Sequence, residues 1–517
     1  MTRRRILWAD DQIEELRSQI LFLEGRGYDV EGVSNGDDAI DLFKKRSFDA
    51  VLLDESMPGK GGLETLAHIR DVDANVPVIM ITKNEAEDFM DKALGRRIDD
   101  YLVKPVNPTQ VLMALKKALD EGRLRNQQTT QDYLQSFAEL ARLRMEARDW
   151  RDWRDIYEKM VAWELQLQRL TDPGLAESHM EQAKDANAQF SRFVEQNYGA
   201  WIDGDDAPIL SHQVVENYVV PHLKNGRRVF FFVIDCMRLD QWMLLEEELT
   251  SLYQIQRETY YGILPTATPF SRNAIFAGLL PAQIAKQFPQ YWRGTAKEER
   301  SKNAFESELL GEQLKRLGYG ELRHKYYKTF NSNDVESMRK QLPSLRDVHL
   351  VAGVINFLDI LAHGRSQNDL LRELAPDDAS FRSVMQSWFA HSSLLEMLRE
   401  LALQDDVAVV ITTDHGAIQV RRSALVKANR DASTNVRYKY GDNLNVDPKE
   451  AFIMKDPRRF GLPQDSPIQN YICAKEANYF VYPTNFHDYE RQYRDSFQHG
   501  GISLEEMIIP AVSLLPR

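Results

Sequence analysis

Three apolar runs beyond residue 205 end on groups that bind metals or move protons. "VFFFVID" ends at Asp235, "DVHLVAGVINFLDILAH" carries Asp359 and His363 at its far end, and "VAVVITTDHGA" stops at Asp414 and His415. His499 stands before two glycines in "FQHGGISLEEMIIP". Three carboxylates and three imidazoles without a thiolate are the ligand complement of two adjacent divalent transition metals. Oxygen and nitrogen donors suit catalytic zinc or manganese. Two such ions about 4 Å apart clamp the attacking and leaving oxygens of a phosphoryl transfer. That chemistry also needs a nucleophile. "GILPTATPFSRNAIFAGLLP" is a Pro-rich turn entering a helix, and a helix N-terminus presents unbonded N–H groups to an anion. Thr266 and Thr268 both qualify by residue type.

A second set stands near the N-terminus. Asp10, Asp11, Asp54, Thr82 and Lys104 lie at the ends of short apolar runs. Three converging carboxylates repel one another without a cation, and hard oxygen ligands suit Mg²⁺. One carboxylate can then attack a phosphoryl group, with the hydroxyl and the ammonium stabilising the added charge. Any one of these residues alone reads as a helix cap or a solvated turn. All five at matching strand ends read as a site.

The elements that must carry these residues differ along the chain. "RRRILWADD", "YDVEGVSN", "FDAVLLDES", "VPVIMIT" and "DDYLVKP" read as five strands, separated by amphipathic helical stretches such as "QIEELRSQILFLEGRG" and "GDDAIDLFKKR". This alternation predicts a parallel sheet with helices on both faces and a site at the carboxyl ends of the strands. From 122 to 205 apolar residues recur at three and four, as in Trp153, Ile156, Tyr157, Met160 and Trp163, which predicts helix. "TDPGL" breaks it, with Thr171 or Asp172 as cap and Pro173 early in a second helix that ends near Gly199. Nothing there is a helix-turn-helix with a basic recognition helix. Lying between two α/β regions, the segment is expected to transmit a signal. Beyond 205, continuous apolar runs predict strands buried on both faces of a second parallel sheet. The expected fold is α/β throughout, with domains at 1–121, 122–205 and 206–517.

Residues 1 to about 121 resemble the receiver domains of two-component response regulators, with "ADD", "LLDESMPGKGG", "MITK" and "YLVKP" in family order. The resemblance implies a flavodoxin-like, doubly wound five-stranded sheet with Asp54 as phosphoacceptor. It implies Mg²⁺ held by Asp10, Asp11, Asp54 and the Ser56 carbonyl. Thr82 and Lys104 would contact the phosphoryl group, and Tyr101 matches the aromatic switch position. It also implies a cognate sensor histidine kinase and dimerisation on phosphorylation. Residues 206–517 resemble the PglZ branch of the alkaline phosphatase superfamily and, more distantly, nucleotide pyrophosphatase/phosphodiesterases. That resemblance makes Thr268 the nucleophile. Asp235, Thr268, Asp414 and His415 would hold one Zn²⁺, and Asp359, His363 and His499 the other. The distant phosphodiesterases carry an oxyanion-binding Asn three residues after the threonine, where this chain has Ser271. Arg272 and Asn273 are expected to take over substrate binding. Receiver, helical spacer and PglZ domain in this order are similar to a family of response regulators linked to type IX secretion. The order implies hydrolysis of nucleotide or oligonucleotide phosphodiesters and secretion-regulon partners.

Composition bounds these readings. A chain of 517 residues exceeds one core. Its net charge of −13 argues against coating nucleic acid, which needs clustered Lys and Arg. Together with the missing basic helix, this speaks against a transcription factor. The two cysteines, Cys236 and Cys473, form no CxxC. A thiolate zinc site and a disulfide framework are therefore excluded, and a reducing compartment fits. No run approaches the roughly 20 apolar residues of a membrane span, so a cytoplasmic protein without membrane insertion is expected. The competing reading is a regulator that binds a nucleotide or a protein at the second site without turnover. The presence of a hydroxyl placed for metal activation argues against it.

Overall fold

The computed structural model describes residues 3–73, 75–83, 98–170, 172–292, 303–364, 373, 375–427, 433, 435–483 and 486–517; the side chains of 120–127 and 363–364 are also outside the description. The chain forms two compact units, one of residues 1–139 with 166–172, the other of residues 140–165 with 173–517.

In the first unit, strands β1 (Arg4–Ala9), β2 (Tyr28–Val33), β3 (Ala50–Asp54), β4 (Val78–Thr82) and β5 (Asp100–Val103) pair in parallel in the order β2-β1-β3-β4-β5. This is the flavodoxin-like order, whose strand ends form a crevice. Side chains alternate across a strand, and both faces of β1 are covered. Ile6 and Trp8 join one buried cluster, with Val111 and Leu115; Leu7 and Ala9 join the other, with Ala39, Phe43 and Leu66. The latter residues come from helices α2 (Gly36–Lys45) and α3 (Gly62–Val72), which follow α1 (Arg17–Glu24).

Helix α4 (Pro108–Glu146) is followed by α5 (Trp150–Leu170) and α6 (Pro173–Asp203). The periodicity alone predicted no break before "TDPGL". The interruption at 147–149 comes from reciprocal capping. Asp149 accepts from the backbone of Arg151 and Asp152, at 2.8 and 3.1 Å, while Asp152 accepts from the backbone of Arg148 at 2.7 Å. Thr171, one of the two predicted caps, lies outside the described residues. Helix α6 runs past Gly199.

The second unit is built on strands β6 (Arg228–Ile234), β7 (Tyr253–Tyr261), β8 (His324–Thr329), β9 (Leu350–Ile355), β10 (Val407–Thr412) and β11 (Ile508–Pro516). Their order is β7-β11-β10-β6-β9-β8. The core β10-β6-β9-β8 is parallel, as predicted, but β11 runs antiparallel between β10 and β7, so the sheet is mixed. Strand β6 shows why "VFFFVI" is apolar throughout. Phe230, Phe232 and Ile234 face one core with Met385 and Leu398, and Val229, Phe231 and Val233 face the other with Ile275 and Phe276. Ile275 and Phe276 lie on α7 (Thr268–Ala277), which leaves the "GILPTATPF" turn. Two further helices matter for the site, α8 (Glu306–Arg316) and α9 (Phe357–Gly364). The run "DVHLVAGVINFLDILAH" divides into β9 and α9, which puts Asp359 on a helix one turn beyond the strand end. Among the described residues, no helix is long and apolar enough to cross a membrane.

Candidate active site and phosphoacceptor site

Strands β6, β9 and β10 are parallel, so their carboxyl ends share one edge of the sheet. Asp235 directly follows β6, and Asp414 and His415 follow β10. The three are buried, and one ligand atom from each lies within 4.8 Å of the others. The two strand ends are tied together locally. The Met237 N–H donates to Thr413 Oγ1 at 3.0 Å, and that hydroxyl donates to the His415 carbonyl at 2.7 Å. The tight turn after Asp235 puts buried Cys236 at φ 68°, a conformation rare for a side chain with a Cβ.

Two glycines explain the sequences "DHG" and "HGG". A Cβ on Gly416 would lie 1.9 Å from the Glu505 carbonyl oxygen, so the chain behind His415 can approach that carbonyl only as glycine. Gly500, beside His499, has φ 117°, and a Cβ there would meet the Tyr438 ring at 2.3 Å.

Thr266 and Thr268 have different surroundings. Thr266 is buried and its hydroxyl is committed to the backbone, donating to the Gly501 carbonyl at 2.8 Å and accepting from the Gly500 N–H at 3.2 Å. Thr268 is the one residue of 260–277 that is not buried. Its Oγ1 lies 3.0 Å from His415 Nε2. His415 Nδ1 faces the Gly416 carbonyl at 3.1 Å and His499 Nδ1 the Thr266 carbonyl at 3.3 Å. A carbonyl can only accept, so both Nδ1 atoms carry the proton and both Nε2 atoms offer a lone pair. The two rings stack with centroids 4.0 Å apart. His499 Nε2 is 3.6 Å from Asp359 Oδ1. His363 belongs to α9, but its side chain lies outside the described residues.

The charges identify what fits here. Neither oxygen of Asp414 nor Oδ1 of Asp235 has a hydrogen-bond partner among the described residues, although all are buried. Burial, followed by the charge of Asp235, pushes the Asp414 carboxyl well above the usual range. Burial pushes the His415 imidazole down against the pull of Asp235 and Asp359. Buried carboxylates without donors are costly, and converging oxygen and nitrogen lone pairs fit a divalent cation.

Arg272 and Asn273 are not placed to bind substrate. Arg272 is buried, with Nη1 on Asp235 Oδ2 at 2.5 Å and on Asn356 Oδ1 at 3.1 Å, and Nε on Glu306 Oε1 at 2.5 Å. Asn273 Nδ2 turns back along its own helix to the Pro269 carbonyl at 3.0 Å. Four and five residues past the first residue of α7, both side chains point into the core. Sequence reasoning missed Asn303, whose Nδ2 lies 3.1 Å from the Thr268 carbonyl oxygen; no local pattern marks it.

In the first unit, Asp10 and Asp54 are buried and Asp11 is exposed, with ligand atoms of the three within 4.8 Å of one another. Ser56 is exposed in the bend after β3. Lys104 Nζ reaches both Asp10 Oδ2, at 2.9 Å, and Asp54 Oδ2, at 3.0 Å. Burial raises the Asp54 carboxyl, Lys104 draws it down, and Asp10 and Asp11 raise it again. Thr82, expected at the phosphoryl group, is buried and its hydroxyl donates to the Glu55 carboxylate. Tyr101 on β5 is 39% exposed and so turned outward.

Residues 214–514 match the family described as "BREX system PglZ alkaline phosphatase-like domain". The chain belongs to the PglZ family. Ahead of its PglZ domain, residues 6–116 match the response regulator receiver domain and residues 123–202 the PorX response regulator linker domain. The three in this order form a PorX-like arrangement. The receiver region is similar to transcriptional regulatory protein ResD of Bacillus subtilis, 35% identical over 115 residues, covering 22% of this chain and 48% of that one. It is also similar to the CpxR homolog of Haemophilus influenzae, 43% identical over 119 residues, covering 22% and 50%. The chain thus spans about half the length of these curated relatives. Among solved structures, a CheY-like receiver domain protein from Methanospirillum hungatei JF-1 is 29% identical, with 24% of this chain and 98% of that chain covered and a TM-score of 0.23.

Proposed function

We propose that this PglZ-family response regulator is a phosphorylation-controlled, two-zinc phosphodiesterase acting on nucleotide or oligonucleotide phosphodiesters in the cytoplasm. The observation that carries the reading is the hydroxyl of part-exposed Thr268, 3.0 Å from His415 Nε2, together with buried carboxylate oxygens of Asp235 and Asp414 that lack donors among the described residues. Asp235, Thr268, Asp414 and His415 would hold one Zn²⁺, or Mn²⁺, and Asp359, His363 and His499 the other. When bound, the metals would supply positive charge that makes the hydroxyl acidic and stabilises charge on the phosphoryl oxygens. Thr268 would give up its hydroxyl proton as Oγ1 bonds to phosphorus, the bond from phosphorus to the leaving alcohol oxygen would break, and that oxygen would take up the proton by way of solvent. Water then cleaves the phosphothreonine ester and restores the hydroxyl.

The choice of a diester rests on the resemblance to nucleotide phosphodiesterases and is supported, among the described residues, by charge. A monoester brings a second negative charge. Arg272 is committed to Asp235, Glu306 and Asn356, and Lys328 to Glu306 and the Asn303 carbonyl. Neither is placed to meet that charge. The test is hydrolysis of bis-p-nitrophenyl phosphate and of p-nitrophenyl phosphate by the full chain with Zn²⁺. Faster cleavage of the diester, lost on chelation, is expected; no cleavage of either would overturn the reading.

In the receiver, Asp54 would take a phosphoryl group from a cognate sensor histidine kinase, with Mg²⁺ held by Asp10, Asp11, Asp54 and the Ser56 carbonyl. Lys104 already touches Asp54. Thr82 must exchange Glu55 for the phosphoryl oxygen, and Tyr101 would then turn inward and favour a homodimer. The match of residues 123–202 to a PorX linker supports a place in type IX secretion control, with secretion-regulon factors as partners.

A further inference from the structure

Behind the proposed active site lies a buried carboxylate outside the proposed ligand set, with its oxygens occupied by protein donors. Glu306, the first residue of α8, is 1% exposed. Four donors converge on it. Arg272 Nε and Asn303 Nδ2 reach Oε1 at 2.5 and 2.9 Å, Lys328 Nζ reaches Oε2 at 2.9 Å, and the Tyr326 hydroxyl donates to Oε2. Burial disfavours the charge, but Arg272 and Lys328 overcome it and hold the carboxyl below its usual range. Its place at a helix N-terminus favours the same anion.

Two of these donors continue to the site. Arg272 carries Nη1 to Asp235 Oδ2 at 2.5 Å, which leaves Asp235 Oδ1 on the side of His415 Nε2, 3.7 Å away. Asn303 Nδ2 is shared with the Thr268 carbonyl oxygen at 3.1 Å. One carboxylate therefore holds, through one intermediary each, the carboxylate just after β6 and the nucleophile's backbone at the start of α7. A planar guanidinium fork fixes direction as well as distance, and an error of about 1 Å in such a constellation costs on the order of 100-fold in rate.

We propose that Glu306 is the positioning residue that sets the Asp235–Thr268 separation, acting through Arg272 on one and through Asn303 on the other. The inference rests on the reading of Asp235 as a metal ligand and Thr268 as nucleophile. Glu306→Gln keeps the shape, removes the charge and turns an amide N–H₂ toward donors.

The test compares wild type, Glu306→Gln and Asn303→Ala as full chains, each checked for cooperative thermal unfolding. Zinc affinity is measured by chelator competition, kcat and KM on bis-p-nitrophenyl phosphate, and the Asp235–Thr268 separation by crystallography. Glu306→Gln should lose roughly 10- to 100-fold in zinc affinity, as removal of a partner that orients a ligand does, with Asp235 displaced. Asn303→Ala should lower kcat, leave KM and zinc affinity near wild type, and shift Thr268. A folded Glu306→Gln with wild-type zinc affinity and Asp235 unmoved overturns the proposal. If Glu306→Gln does not fold, Asn303→Ala decides alone: an unmoved Thr268 with unchanged kcat overturns it. A wild type that neither binds zinc nor cleaves diesters defeats the phosphodiesterase reading instead, and the crystallographic displacement still decides the role of Glu306.

Discussion

The receiver and the PglZ domain each gather carboxylates at the carboxyl edge of a parallel sheet, but they balance the charge differently. In the receiver, Lys104 lies within 3.0 Å of both Asp10 and Asp54. An internal ammonium lets the site persist when a metal comes and goes, which suits a group that is phosphorylated and dephosphorylated. In the PglZ domain the buried cation Arg272 covers one oxygen of Asp235, and neither oxygen of Asp414 has a hydrogen-bond partner among the described residues. On the reading proposed above, such a site would be completed by resident ions. The observed difference between the two edges is one lysine, and on the proposed reading it would suit the first to transient and the second to resident charge.

The largest expected effect separates the two threonines. Thr268→Val should lower diester turnover by about 10³-fold or more, since it removes the proposed nucleophile, with bound zinc, read by elemental analysis, largely retained. Thr266→Val should instead lower stability by roughly 1–3 kcal/mol, because two buried backbone groups lose their partner; a denaturant midpoint reads this. Wild-type turnover in Thr268→Val would break the comparison at its catalytic half. Next, Asp359→Ala combined with His363→Ala should reduce bound zinc from two equivalents to one, whereas Lys104→Met should leave zinc unchanged. A zinc content that follows Lys104 would mean the two edges are not independent in charge.

At the receiver edge, beryllofluoride with Mg²⁺ should shift the full chain from monomer toward dimer in sedimentation, and Asp54→Ala should abolish the shift. A fixed sedimentation coefficient at saturated Asp54 would remove the dimer from the reading. Diester turnover measured across the same transition shows whether the receiver governs catalysis; we expect it to rise.

The smallest effect concerns another buried carboxyl, which makes no ion pair among the described residues. Glu505 is buried against the Asn187 amide, whose Nδ2 is 3.1 Å from both oxygens, and burial raises it to about 7 against those hydrogen bonds. The folded state binds its proton more tightly than the unfolded chain does. The stabilising contribution is therefore full below about 4.5 and is lost as pH rises toward 7. Glu505→Gln should flatten this slope, by up to about 3 kcal/mol between pH 4.5 and 8. Urea midpoints at both ends of the range measure it, and parallel slopes would contradict the assignment.

How far the sequence alone reached follows from where each signal resides. Strand ends were legible because an apolar run stopping at Asp or His is a local pattern, as in β3, β6 and β10. Strand β7 was not read, because its burial alternates irregularly along "YQIQRETYY". Placing β11 antiparallel needs its partners, which sequence does not supply. Residue type could not separate Thr266 from Thr268; the difference lies in what each hydroxyl touches. Arg272 was read as a substrate contact because it is near Thr268 in sequence, but its guanidinium is taken up by Asp235, Glu306 and Asn356. Asn303, Glu306 and Lys328 come from separate segments and leave no shared trace in the chain.

Helix α6 changes what can be cut from this protein and still work. The PglZ match begins at residue 214, yet the compact unit begins at 140. Tyr198 accepts from the Leu264 N–H at 2.8 Å, just before the turn that carries Thr268. Asn187 accepts from the Leu504 N–H at 2.8 Å, and Ser191 donates to the Ile502 carbonyl at 3.3 Å, just after His499. Trp153, Phe190, Trp201 and Tyr261 form one buried aromatic cluster across the match boundary. A PglZ module excised at 214 would bare that cluster to water and lose the struts on both site-bearing loops. Recombining such modules with foreign sensors requires carrying the preceding helices along, because the unit of inheritance marked by the family match is smaller than the unit that holds its own shape.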